Sequence, residues 1–126
     1  MQTVIETASY LARVAKLGLD ETERDAIKAF LASNPEAGDL MQGTGGARKV
    51  RIAGRGHGKS GGYRVITFYA ADDVPVFLLD IYGKDEKDNL SKAERNAVKT
   101  YLDGLADDYR KSARARAEAM KKRAKE

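Results

Sequence analysis

Lys49 and Arg51 in ARKVRIA and Arg64 in YRVITFYA are three cations at spacings that suit one strand-borne pocket. In an alternating strand Val50 and Ile52 take one face and Lys49 and Arg51 the other. Pairing of the two runs as a hairpin brings Arg64, at the head of the second, beside them. A guanidinium presents a planar fork of donors matched to phosphate oxygens, and an ammonium a compact point charge, so the trio suits a phosphate-bearing partner. Alternation alone also turns polar residues outward, so plain decoration of an exposed strand face is the competing reading.

Between the two runs lies GRGHGKSGG, residues 54–62, with the string Gly-Lys-Ser. A nucleotide-binding P-loop needs a glycine five residues before that string, where backbone amides cradle phosphate without a Cβ in the way, and here that position is Ala53. A P-loop also opens a helix, whereas Gly61 and Gly62 lead into a β-rich run. Five glycines interleaved with Arg55, His57 and Lys59 instead read as a basic flap that tracks a phosphate backbone without reading bases, or as a plain hairpin linker.

The net charge of +4 conceals segregation. Residues 1–42 sum to −3, residues 43–64 to +6 with no acidic side chain, residues 65–108 to −5, and residues 109–126 to +6. Positive blocks attract polyanions by releasing their counterions, and nucleic acid is the commonest of these inside cells. Solubilising surface charge is the bland alternative, most of all for the C-terminal block. At 126 residues the chain suits one domain with its own core. Without cysteine it has neither a disulfide framework nor a thiolate metal site. No apolar run approaches a membrane span and MQTVIETAS lacks the features of a signal peptide, so a cytoplasmic protein without membrane contact is expected.

These residues need elements to position them. TVIE, residues 3–6, reads as a short strand. Ala8, Leu11, Ala12 and Ala15 recur at helical spacing before Gly18, and Asp20 with Glu23 makes a capping box for a second helix that ends before Pro35. With only about three residues between them, the two helices should form an antiparallel hairpin. ARKVRIA, YRVITFYA and VPVFLLDIY then make an antiparallel meander. Ser91 and Glu94 form a second capping box, opening a helix whose Val98, Tyr101, Leu102, Leu105 and Tyr109 can lie on the sheet. Past Tyr109, KSARARAEAMKKRAKE favours helix but offers almost nothing to bury. The expected fold is α+β: an N-terminal strand, a two-helix hairpin, an antiparallel sheet and a C-terminal helix.

GTGGARKVRIA, the loop GRGHGKSGGYRVI and the strand closing in LLDIYGKDEK resemble the RelE/HigB family of type II toxin–antitoxin toxins, and NPEAGDLMQGTGG resembles its HigB-like branch. The resemblance spans roughly residues 3–105, which implies a RelE-like, microbial-ribonuclease-like toxin domain at 1–109 and a basic extension, helical or disordered, at 110–126. It implies a ribosome-dependent mRNA endoribonuclease working in the ribosomal A site, inhibiting translation, and restrained by a cognate antitoxin. A ParE-type toxin that binds DNA gyrase without catalysis shares the fold and is the alternative.

On the resemblance Arg64, Lys49 and Arg51 match the family's catalytic cations. Arg48, Arg55, His57, Lys59, Lys84 and Lys87 are expected at the RNA. Cleavage by attack of the 2′-OH on the adjacent phosphorus builds charge on phosphoryl oxygens, so Arg64 is expected to clamp the transition state. Lys49 and Arg51 would bind the scissile phosphate or activate the 2′-OH. No metal and no cofactor are expected, since one histidine, no cysteine and no carboxylate cluster stand in the basic segment. The best-known members carry a tyrosine at the start of the last helix, where KDNLSKAE has none. The general base is therefore open among His57, whose ordinary pKa lies near neutrality, and Tyr82 and Lys84 at the end of the last strand.

Overall fold

A computed structural model of the protein describes residues 1–54, 62–87 and 89–125. Arg55, His57 and Lys59 lie outside the described residues.

Strand β1 (Val4–Glu6) leads into helix α1 (Ala8–Leu17). The Thr7 side chain caps α1 by accepting from the Tyr10 amide, and its hydroxyl donates to the Leu78 carbonyl at 2.7 Å, tying the helix start to the central sheet. Gly18, at φ 75°, ends α1 in the left-handed conformation, with its own amide and that of Leu19 returning to Val14. Helix α2 (Glu21–Ser33) opens on the reciprocal Asp20–Glu23 capping box and stops at Asn34, ahead of Pro35.

Strands β2 (Asp39–Leu40), β3 (Ala47–Ile52), β4 (Tyr63–Phe68) and β5 (Val76–Gly83) follow. The five strands form one mixed sheet in the order β1-β5-β4-β3-β2, antiparallel except where β1 runs parallel to β5. Strand β2 has no counterpart among the sequence expectations, because two residues cannot show a period. It hydrogen-bonds β3 through the turn in GTGG, where Thr44 is fully buried, donates to the Met41 carbonyl and accepts from the Ala47 amide. That part of the motif is a structural turn.

Alternation along the strands fills two apolar layers. Val50, Val65, Val76, Leu78 and Ile81 pack with Tyr10, Val14, Ile27 and Leu31 of α1 and α2, so both helices cover one face. Ala47, Ile66, Phe68, Phe77, Leu79 and Tyr82 point the other way, to Leu90, Leu102 and the C-terminal helices. The expected single C-terminal helix is two: α3 (Lys92–Leu102) and α4 (Leu105–Lys125). Gly104 separates them at φ 82°, a conformation that costs glycine little, and the bend lets α4 lay Leu105 and Tyr109 along Phe77 with its ring edge-on to Tyr109. Tyr101, expected on the sheet, is instead 54% exposed.

Candidate active site

The β3–β4 ladder sets Arg51 directly opposite Arg64, and the β4–β5 ladder sets Arg64 opposite Tyr82. Cross-strand neighbours in register share a face about 5 Å apart, so the three form one row. Lys49 pairs with Ile66, and Ile66 with Asp80, in the adjacent row on the same face. A register shift between Ile66 and Thr67 makes this possible. Thr67 pairs with Leu78 and Ile66 with Asp80, so Leu79 is the extra residue and Asp80 and Tyr82 both turn to the Arg64 face.

Two arginines facing each other across a ladder repel, a destabilising arrangement that hydrophobic or neutral residues would avoid. The β3–β4 pair keeps it at the strand ends, where Arg51 is exposed and Arg64 is buried to 5%. Arg64 Nη1 lies 3.4 Å from the Tyr63 carbonyl, a long contact. Its burial departs from the open strand face that alternation predicts, and its neighbours on that face, Ile66 and Tyr82, are fully buried with it.

The segment between β5 and α3 completes the cluster. Lys87 stands with its ammonium 5.1 Å from the centre of the Tyr82 ring, a cation–π position, and its Nζ donates to Glu94 Oε2. Lys49 Nζ donates to Asn89 Oδ1 at 2.7 Å. Glu94 is the N3 residue of α3, so its other oxygen accepts the Ser91 amide while Ser91 caps the Glu94 amide. The hydrogen bond from Lys87, then that from the Ser91 amide, hold the Glu94 carboxyl below the usual carboxylate range. Half-burial pushes the Asp80 carboxyl up, opposed by the Ile81 amide, Lys87 and Arg13. Arg13 reaches across from α1 to Glu86, which it holds below its ordinary value.

Of the residues singled out from the sequence, Lys49, Arg51, Arg64, Tyr82 and Lys87 therefore meet on one face. Lys84 is exposed in the turn after β5, near them through its backbone amide, which donates to the Gly62 carbonyl at 3.2 Å. Arg48 is not brought in. It sits one residue out of phase with Lys49 and Arg51, and its guanidinium donates to the Gly38 carbonyl at 3.2 Å. Strand parity in the sequence already carried that signal. Asp80, Asn89 and Glu94 were missed: a bulge leaves no mark in residue types, and Glu94 reads fully as a helix cap.

A family profile described as the RelE toxin of the RelE/RelB toxin–antitoxin system matches residues 7–125. The chain belongs to the RelE toxin family. The match runs through α4, well past residue 105, so the basic C-terminal helix falls within the family's span. As a RelE toxin the chain is one half of a two-protein system, with an antitoxin as its partner. Among the described residues no helix is long and apolar enough to cross a membrane, and no group of three or more His, Cys, Asp or Glu side chains is arranged to hold a metal.

Proposed function

We propose that this RelE toxin is a cytoplasmic, ribosome-dependent mRNA endoribonuclease of the HigB-like branch, inhibiting translation by cleaving mRNA in the ribosomal A site. The opposed Arg51–Arg64 pair, with Lys49 on the same face, carries the reading, because repulsion built into a sheet is relieved by a phosphate set between the cations. In the reaction the 2′-OH attacks the adjacent phosphorus, the P–O5′ bond breaks, and the products end in a 2′,3′-cyclic phosphate and a 5′-OH. Arg64 opposes charge developing on the phosphoryl oxygens, and Lys49 and Arg51 hold the scissile phosphate.

Two protons must move, one from the 2′-OH and one to the departing O5′. Tyr82 lies next to Arg64 in register and under the Lys87 ammonium but is fully buried, so it can carry a proton only through a neighbouring group, and Lys84, exposed just beyond the end of β5, stays beside it as a candidate. Lys84 and His57 belong to segments that flank the row in sequence and are assigned RNA contact, as are Lys87, Arg55 and Lys59, whereas Arg48, turned to the other side of β3, is not. The test is incubation of the purified chain with ribosomes and a defined mRNA, with cut ends mapped, beside a DNA gyrase supercoiling assay. Cleavage within ribosome-bound codons and unimpaired gyrase is the expected result. Gyrase inhibition without cleavage overturns the proposal in favour of a ParE-type toxin.

A further inference from the structure

Among the described residues, strand β5 loses its neighbour on one side before it reaches the catalytic row. Strand β1 pairs with it only over Val76–Leu78, and the chain then enters α1, so the next stretch of that edge is met by side chains of α1. Ser9 Oγ donates to the Leu79 carbonyl at 2.8 Å and Arg13 Nε to the Ile81 carbonyl at 3.2 Å. Covering a bare strand edge accounts for both bonds. It does not account for the rest of the Arg13 guanidinium.

Arg13 Nη2 donates to Glu86 Oε2 at 2.5 Å, Glu86 Oε1 accepts the Gly83 amide at 3.2 Å, and the Glu86 amide returns to the Gly83 carbonyl at 3.0 Å. The turn Gly83–Glu86 is thereby closed on itself and tied to α1, which covers the opposite face of the sheet. On its other side the Lys84 amide donates to the Gly62 carbonyl, two residues ahead of Arg64. The turn follows Tyr82 directly, carries Lys84 and leads to Lys87 over the Tyr82 ring. One guanidinium therefore joins the end of β5 to the segment that bears the cations flanking Arg64. A carboxylate among cations that meet phosphate weakens their pull. Glu86 is thus poorly placed as a surface charge and well placed as the acceptor that closes the turn, and an exposed ion pair of this kind adds little to global stability.

We propose that Arg13 and Glu86 are positioning residues for RNA cleavage: the pair pins the Gly83–Glu86 turn so that Lys84 and Lys87 keep fixed places at the end of the Arg51–Arg64 row. The inference rests on the reading of the chain as an RNA-cleaving toxin. Neither residue touches the RNA. Each acts through the turn, where a displacement of about 1 Å at the reacting groups costs up to about 10²-fold in rate.

The opposite charges of the pair give the test its sign. Arg13→Ala removes a cation and Glu86→Ala an anion, so an effect through the general field would slow cleavage in the first variant and speed it in the second, whereas loss of a shared pin slows both. Single-turnover cleavage of ribosome-bound mRNA should fall roughly 10- to 100-fold in each. The double variant should be no slower than the slower single one, because its second substitution removes a bond already broken. Exchange of the Lys84 amide hydrogen, followed by NMR, should quicken about tenfold or more in both single variants. Ser9→Ala, which bares the same strand edge without touching the turn, should cleave at the wild-type rate. Glu86 is exposed, so Glu86→Ala carries the test if thermal melting shows Arg13→Ala to be unfolded. Opposite changes in the two variants, additive losses in the double one, an equal loss in Ser9→Ala, or unchanged Lys84 exchange overturns the proposal. A wild-type chain that cleaves no RNA defeats the proposed function instead, and Lys84 exchange still decides whether the pin exists.

Discussion

Arg51 and Arg64 face each other because the β3–β4 register allows no other arrangement, and their repulsion should be visible as stability. Removing one charge from a like-charged cross-strand pair is worth about 0.2–1 kcal/mol. Arg51→Thr, which keeps a good strand former at an exposed position, should therefore melt at or slightly above the wild-type temperature while cleaving mRNA more slowly. A lower melting temperature with unimpaired cleavage would mean that Arg51 is part of the scaffold. Asp80 offers a test with a definite sign. Burial raises its pKa, so the folded chain binds its proton more tightly than the unfolded chain does. The stability this contributes is fully present below the ordinary value of 3.8 and is lost as pH rises through the raised folded value. Arg13 and Lys87 on its flanks reduce the effect, and Glu94 adds to it. Asp80→Asn, which keeps an acceptor for the Ile81 amide, should thus gain melting temperature relative to wild type between about pH 3.5 and pH 7. A difference that does not change with pH would contradict the assignment.

The element that brings Arg64 into place is the junction at Gly62. This residue has φ 63°, and a Cβ there would meet the Ile52 carbonyl oxygen at 2.2 Å and the Gly54 nitrogen at 2.8 Å, both backbone atoms that cannot step aside. Gly62→Ala should cost about 1–3 kcal/mol through strained backbone alone, read as a lower melting temperature with cleavage reduced in parallel, since Arg64 lies two residues on. An unchanged melt would show that the junction is looser than its geometry. Much at this scale was legible in the sequence. The two capping boxes, Gly18 and the period-two runs predict α1, α2, α3 and the three long strands, because each signal is local and complete within a few residues. The parity of Lys49, Arg51 and Arg64 follows from the same alternation. What escaped depends on tertiary partners: β2 exists only against β3, the parallel pairing of β1 with β5 joins residues 72 apart, and the Leu79–Asp80 bulge is defined by β4. Gly104 was read through as part of one helix, and only the packing of Tyr109 on Phe77 shows why the chain turns there.

Across the whole molecule, charge and architecture divide the work. One face of the sheet is sealed by α1 and α2, and the other gathers cations where β3 and β5 end and β4 begins, beside the Lys87–Glu94 link to α3. With one histidine and no cysteine in the chain, the proposed chemistry assigns every role to side-chain cations and a proton carrier. Chelation should then leave the chemical step intact on ribosome-free RNA at high toxin concentration, with a 2′,3′-cyclic phosphate on the upstream product; abolition by chelator would point to a metal-dependent route. The proposed role of the Arg64 row in cleavage is tested most directly by single-turnover cleavage of ribosome-bound mRNA by Arg64 variants. Arg64→Ala should lose about 10²–10³-fold in rate, as removal of a donor aimed at developing charge does. Arg64→Lys, which keeps the charge but not the planar fork, should recover only a minor part. Because Arg64 is 5% exposed, thermal melting and antitoxin affinity on the same preparations must show a folded chain. Folded Arg64→Lys protein that cleaves near the wild-type rate would contradict the account.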